Sequence, residues 1–345
     1  MLNTINEIRP DSYQEQGEAC RTMLHDCMER RQVHAYLLSG ISGVGKKTLA
    51  LLSAQSLFCQ EKNRPCQTCS SCRRVLNLTH PDLAWVRPGY DLGSDQMRDT
   101  ARNLINVETI RSVLELVSQQ TMESQDRVII LEQADRMNIP AQNALLRTLE
   151  DPPDHVCFFL LTDKPAVLLP TIRSRCRMVS LHPWSDSFVE SVLRQRESGM
   201  THIRQAVHLS GGSIGLALQI ASDEQYWIRQ KEILQAFLGF SSSDGIWATS
   251  EQWKERRDDA ELIFSVLENQ FRSWILARYT DTEILSEDLP EAFDRIAREG
   301  TLKNYLSLLD ALENARSLLA SQVNWQSVME KMLLAFAEVK QAWST

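Results

Sequence analysis

The sequence has 345 residues, too many for one small module at roughly 100–200 residues per domain, so two or three domains are expected. Its 43% hydrophobic and 24% charged residues, with 13 Gly and 11 Pro, exclude a wholly disordered or fibrous chain. The 37 basic and 45 acidic residues give a net charge of −8, balanced 21 against 21 through Ser180 and 16 against 24 from Leu181 onward; the second half lacks the clustered Lys and Arg that an autonomous nucleic-acid binder needs.

In chain order, the start MLNTINEIRPDSYQEQ has neither the basic end nor the apolar core of a signal peptide, and no stretch approaches the roughly 18 apolar residues of a membrane span. A cytoplasmic protein with no membrane partner is expected. Apolar runs at 35–38, 83–86, 127–131, 156–161 and 178–181 read as strands, and amphipathic stretches at 47–58, 107–119 and 141–150 read as helices between them. That alternation predicts a parallel sheet flanked by helices. After Pro183 the strand signals stop, and the remainder reads as helices at 187–196, 202–209, 213–220, 223–237 and beyond, with a Gly/Ser-rich loop at 239–245. Six of the eight tryptophans, all but Trp85 and Trp184 at the join, fall in this helical half, where core packing and subunit contact explain them better than base stacking. In the 141–150 helix, Leu145, Leu146 and Leu149 are expected in the core and Asn143 and Arg147 outside it, while His80-Pro81-Asp82 reads as a loop entering the second strand.

Directly after the first strand comes Gly40-Ile41-Ser42-Gly43-Val44-Gly45-Lys46-Lys47-Thr48, then an apolar helical run. Glycines let backbone N–H groups turn inward around phosphate oxygens, the helix N-terminus adds positive charge, and Lys46 can reach the outer phosphates. Position 47 departs from the pattern: a Ser or Thr hydroxyl there ligates Mg²⁺, and Lys47 puts a cation in its place. Thr48 comes one residue too late, because each helical step rotates a side chain by about 100°. The loop is read two ways, as a nucleotide cradle with a damaged Mg²⁺ site or as a tight turn only. The third strand leads into Glu132-Gln133, where a metal-binding Asp and a catalytic carboxylate are usual in a P-loop ATPase. Gln133 cannot accept a proton as a general base. Poor or absent ATPase activity is predicted.

Eight cysteines fall unevenly. Cys59, Cys66, Cys69 and Cys72 crowd into fourteen residues, a spacing that suits four thiolates closing a tetrahedral shell around structural Zn²⁺; an iron–sulfur cluster or a redox pair is the minor alternative.

The succession GISGVGKKT, CQEKNRPCQTCSSC, THPDLAWV, RVIILEQADRMNIPAQNALLRTLEDPP and FFLLTDKPAVLLPTIRSRC resembles the bacterial clamp-loader family of AAA+ ATPases, and within it the delta-prime branch, over about residues 37–218. The resemblance implies an α/β AAA+ domain at 1–181 with the zinc module inserted at 59–72, a small helical lid at 182–224 and an all-α collar domain at 225–345. It implies a hetero-oligomer, pentameric in the family, with clamp-loader motor subunits, a delta subunit, a sliding clamp and primed-template DNA as partners. By the same resemblance Thr162 stands at the first sensor position and Gly215 where motor subunits carry a phosphate-sensing arginine. Arg175 of Ser174-Arg175-Cys176 is then the arginine projected into a neighbour's ATP site. A functional ATPase using Lys46 and Glu132, and a zinc-bearing DNA-binding adaptor, are the rival readings.

Overall fold

Five runs of branched and aromatic residues pair into one sheet: β1 (Ala35–Ser39), β2 (Leu83–Val86), β3 (Arg127–Leu131), β4 (Val156–Thr162) and β5 (Arg177–Ser180). The computed structural model describes residues 10–90, 104–196, 202–239, 243–279 and 300–341. All pairings are parallel, in the order β2-β3-β4-β1-β5, with Leu37 of β1 opposite Leu160 on one side and Met178 on the other. β1, β3 and β4 are buried along their whole length, which is why they read as unbroken apolar runs instead of alternating ones. β1 has β4 on one flank and β5 on the other, so the chain reverses direction across the sheet there; in open parallel sheets that is the crevice where ligands sit, beyond the strand C-termini.

The helices that carry the site grow from these strand ends. α1 (Glu18–Met28) precedes β1, α2 (Lys46–Phe58) follows it, and α3 (Ser70–Leu76) lies before β2. α2 buries twelve of its thirteen residues, Lys47 excepted, and Ser53 and Ser56 turn their hydroxyls back onto Leu49 and Leu52 carbonyls, so no hydroxyl is stranded. α4 (Val107–Val117) is capped by Asn106 and buries Ile110, Val113 and Val117. α5 (Ile139–Glu150) is capped by Asn138 with Pro140 in its first turn, where a missing N–H costs nothing; Leu145 and Leu149 are buried, Leu146 is half-buried, and Asn143 and Arg147 face solvent. A short α6 (Pro170–Arg173) leads to β5, and α7 (Asp186–Arg196), α8 (Ile203–Ser210) and α9 (Ile214–Ser222) follow.

The chain divides into two compact units, residues 1–219 and 220–345. The second is helical: α10 (Glu224–Leu238), α11 (Ser243–Trp253), α12 (Ala260–Tyr279), then helices Leu302–Ala320 and Trp325–Gln341. Its core joins Trp253, Phe264, Phe271, Trp274, Tyr305, Trp325 and Phe336, and the Trp325 indole N–H donates to the Trp253 carbonyl at 3.0 Å. Trp253, Trp274 and Trp325 therefore serve packing, as expected; Trp247 is 63% exposed, and Trp343 lies outside the described residues. Among the described residues no helix is long and apolar enough to cross a membrane.

Two departures from the sequence expectation have local causes. Gly239 ends α10, but Ser243-Asp244-Gly245, expected within the loop, already belong to α11, an acidic residue in a first turn being favoured by the helix dipole; residues 240–242 lie outside the described residues. α1 was not anticipated, although Cys20, Met23, Leu24 and Cys27 are spaced for one helix face and are all buried. Their sulfurs act as small apolar groups, with burial pushing both thiols up to about 12.

Candidate functional site

The loop between β1 and α2 is built as the glycine pattern requires. Gly43 has φ +74° and Gly45, at the helix N-cap, φ +106°, both in the left-handed region that side chains rarely adopt. A second demand falls on Gly43, whose added Cβ would collide with the Ser213 hydroxyl and lie 3.2 Å from the Gly215 Cα. Each carbonyl from Gly40 to Gly45 accepts a hydrogen bond from this chain. Lys46 Nζ donates to Gly40 and Ile41, the Ser213 hydroxyl to Ser42, the Gly215 N–H to Gly43, the Trp184 indole to Val44 and the Tyr13 hydroxyl to Gly45, at 2.7–2.9 Å. Tyr13, fully buried, stands edge-on to Trp184 with ring centroids 5.4 Å apart, and burial raises its hydroxyl pKa well above the ordinary value. Thr48 is buried, 8% exposed.

The side chains around the loop are brought together, but onto one another. Lys46 is 8% exposed, and besides its two carbonyls it pairs with Asp163 Oδ1 at 2.6 Å. Lys47 Nζ lies 3.9 Å from Glu132 Oε2 and 4.3 Å above the Trp85 ring. A bound Mg²⁺ needs hard oxygen ligands, and here the position that should furnish one holds an ammonium facing Glu132, the acidic residue that follows β3; the site does not fit the ion. Gln133 adopts φ 52°, ψ 53° and starts the turn Ala134–Arg136. Thr162 is buried; its hydroxyl donates to Asp135 Oδ1 at 2.7 Å and accepts the Lys164 N–H at 3.0 Å. Sequence reasoning picked out Lys47, Glu132 and Thr162 by position and missed Tyr13, Asp163 and Trp184. Asp163 had one legible signal, an acid at the C-terminal end of a buried strand.

Gly215 has a structural reason for being small. Its N–H donates to the Gly43 carbonyl at 2.9 Å, and an added Cβ would lie 2.9 Å from the Gly43 Cα. The start of α9 thus sits backbone to backbone on the loop.

Arg175 lies elsewhere, between α6 and β5. Its guanidinium donates to the Thr171 carbonyl at 3.0 Å and pairs with Glu150 at 2.7 Å, with side chains 33% and 52% exposed. An ion pair this open to solvent contributes about 0–1 kcal/mol, so the Glu150 pair itself does little to hold Arg175 in place.

The four clustered cysteines do converge. Their sulfurs lie within 4.8 Å of one another, near the separation of about 3.8 Å between thiolates at 2.3 Å from a tetrahedral zinc. Cys69 caps α3, its sulfur accepting the Cys72 N–H at 3.5 Å, and the Cys66 sulfur accepts the Cys69 N–H at 3.3 Å. Burial opposes ionisation of Cys66, but N–H donation from Thr68 and Cys69 outweighs it and brings the thiol down to about 6, while burial raises Cys59 and Cys72. The donor set fits a tetrahedral thiolate metal such as Zn²⁺. The cluster is tied to α2 at two points: Cys59 is that helix's C-cap, and the Gln55 amide donates to the Cys72 carbonyl at 2.9 Å.

Comparison with known proteins agrees with this architecture. A family model described as DNA polymerase III, delta subunit, matches residues 15–185. The delta' subunit of DNA polymerase III from Bacillus subtilis is 26% identical over 325 residues, 92% of this chain and 94% of that protein. The delta' subunit from Haemophilus influenzae is 29% identical over 87% of this chain and 88% of its own length; that from Escherichia coli is 31% identical over 62% and 61%. From the glycine loop through the helical second unit, the chain belongs to the bacterial DNA polymerase III clamp-loader family, as a delta-prime-like subunit.

Proposed function

We propose that this chain is a cytoplasmic, non-hydrolysing member of the clamp loader that helps place the sliding clamp on primed-template DNA and lends Arg175 to the ATP site of an adjoining motor subunit. The observation that carries the reading is Lys47 standing 3.9 Å from Glu132, a cation where a metal ligand is required. Gln133 in place of a catalytic carboxylate and Gly215 in place of a sensing arginine agree with it. Its working context is a hetero-oligomer, pentameric by family likeness, with motor and delta subunits. Three parts share the work: an α/β domain at 1–181, a lid at 182–224 and a collar at 225–345. Cys59, Cys66, Cys69 and Cys72 hold Zn²⁺, which supplies folding energy and no chemistry, since four protein thiolates leave no open position.

The physics of the lent arginine is simple. A guanidinium is permanently charged and offers a planar fork of donors that matches phosphate oxygens, so it stabilises the charge that develops as the γ-phosphoryl is transferred. Arg175 leaves Glu150 at small cost, because that pair is open to water. The test is an assembly reconstituted with its cognate motor subunits. Arg175→Ala is expected to reduce DNA-stimulated ATP turnover at least about tenfold, a loss of roughly 1.4 kcal/mol of transition-state stabilisation, while the variant still enters the complex and keeps its melting temperature. Wild-type turnover by the variant assembly would reject the role, and metal-dependent ATP turnover by this chain alone would favour the rival reading as an ATPase.

A further inference from the structure

We propose that the site between β1 and α2 carries its own ligands: the Asp163 carboxylate occupies the place of a phosphate oxygen on Lys46, and the Lys47 ammonium occupies the place of the divalent cation beside Glu132. Asp163 is then the residue that decides whether the loop accepts a nucleotide. The inference rests on the reading of this chain as non-hydrolysing and extends it from the missing reaction to binding itself.

The donor inventory makes the case. A lysine ammonium has three N–H donors and no acceptor. Gly40 and Ile41 carbonyls, each at 2.8 Å, and Asp163 Oδ1, at 2.6 Å, use all three, and Lys46 is almost wholly withdrawn from solvent. A phosphate oxygen reaches Lys46 only by evicting the carboxylate, which would then remain beside the incoming polyanion. No divalent ion offsets that repulsion, because Lys47 already faces Glu132 and rests over Trp85. The two lysines and two carboxylates neutralise one another. The Thr162 hydroxyl, which could otherwise have turned to a terminal phosphate, already donates to Asp135. Such an arrangement keeps the glycine loop in its cradle conformation without a nucleotide.

The measurement is equilibrium binding of a fluorescent ATP analogue to the full chain, in EDTA and again with Mg²⁺, for the wild type, Asp163→Ala, the isosteric Asp163→Asn and the double variant Asp163→Ala/Lys46→Ala. Asp163→Ala and Asp163→Asn are expected to bind at least about tenfold more tightly than the wild type. Their affinity should weaken with salt, stay unchanged by Mg²⁺, and be lost in the double variant. Equal affinity of wild type and both single variants overturns the proposal, as does tightening by Mg²⁺ in any of them. ATP turnover, followed in the same samples, addresses the underlying reading separately: binding released by the Asp163 variants without turnover supports both, and turnover by the wild type removes the reading of a non-hydrolysing chain together with its self-liganded site.

Discussion

Asp82 sits in one of the most demanding polar positions of the first unit. It is 1% exposed, accepts the backbone N–H groups of Met122, Glu123 and Ser124 at 2.7–2.9 Å, and lies 3.7 Å from Arg127, which is itself buried and donates to the carbonyls of Leu116, Gln119 and Gln120. His80, stacked on Phe58 at 4.1 Å, accepts the Asp82 N–H, so the His-Pro-Asp run is the loop its sequence suggested. Asp82→Ala would leave a buried guanidinium short of its anion and is expected to cost about 3–5 kcal/mol in denaturant unfolding. Although burial alone would raise the Asp82 carboxyl, the N–H donors hold it below its ordinary value. Its contribution is therefore complete above roughly pH 4, the unfolded value, and is lost as pH falls through the lower folded value. Asp82→Asn should lose less stability than the wild type between about pH 4 and pH 2, measured by thermal melts. Gly215→Arg, which installs the arginine that the family resemblance implies for motor subunits, should lower the melting temperature and gain no nucleotide affinity, because its Cβ meets the Gly43 backbone. At this scale the sequence revealed what replaces a motif residue, such as Lys47, and concealed what answers it. Asp163 and Tyr13 reach the loop from distant parts of the chain, and no local spacing marks them.

Among the elements, the strands were legible because full burial on both faces leaves only apolar residues to choose from; β1, β3 and β4 fall within one residue of the expected runs. α3 was hidden for the opposite reason. It has seven residues, begins inside the cysteine run, and its start is set by the Cys69 sulfur instead of a Ser or Asp oxygen. The convergence of the four thiols was legible because their crowding in sequence is itself a distance restraint. Elemental analysis of the native protein is expected to return one zinc per chain, and removing it with a strong chelator at neutral pH should lower the melting temperature. Iron, or no metal at all, would refute the zinc assignment.

At the scale of the molecule, two separate cores predict two separate melting events. The sheet of the first unit gathers Leu37, Ile129, Leu131, Phe158 and Leu160, while the second unit closes on its tryptophans and phenylalanines. Calorimetry should give a van't Hoff enthalpy below the calorimetric one, and chelation should shift only the transition that belongs to the first unit. The helical second half was legible as helices and not as an arrangement, since amphipathic repeats specify a buried face without naming its partner. α2 draws these threads together. Its C-terminal end is clamped by Cys59 and Gln55 to the thiol knuckle, its N-terminal end opens from the glycine loop on which Gly215 rests, and its thirteen residues span about 20 Å. A rod pinned at both tips turns damage at one into slack at the other: stripping a metal held by the four thiols should quicken deuterium uptake at the amides of α9.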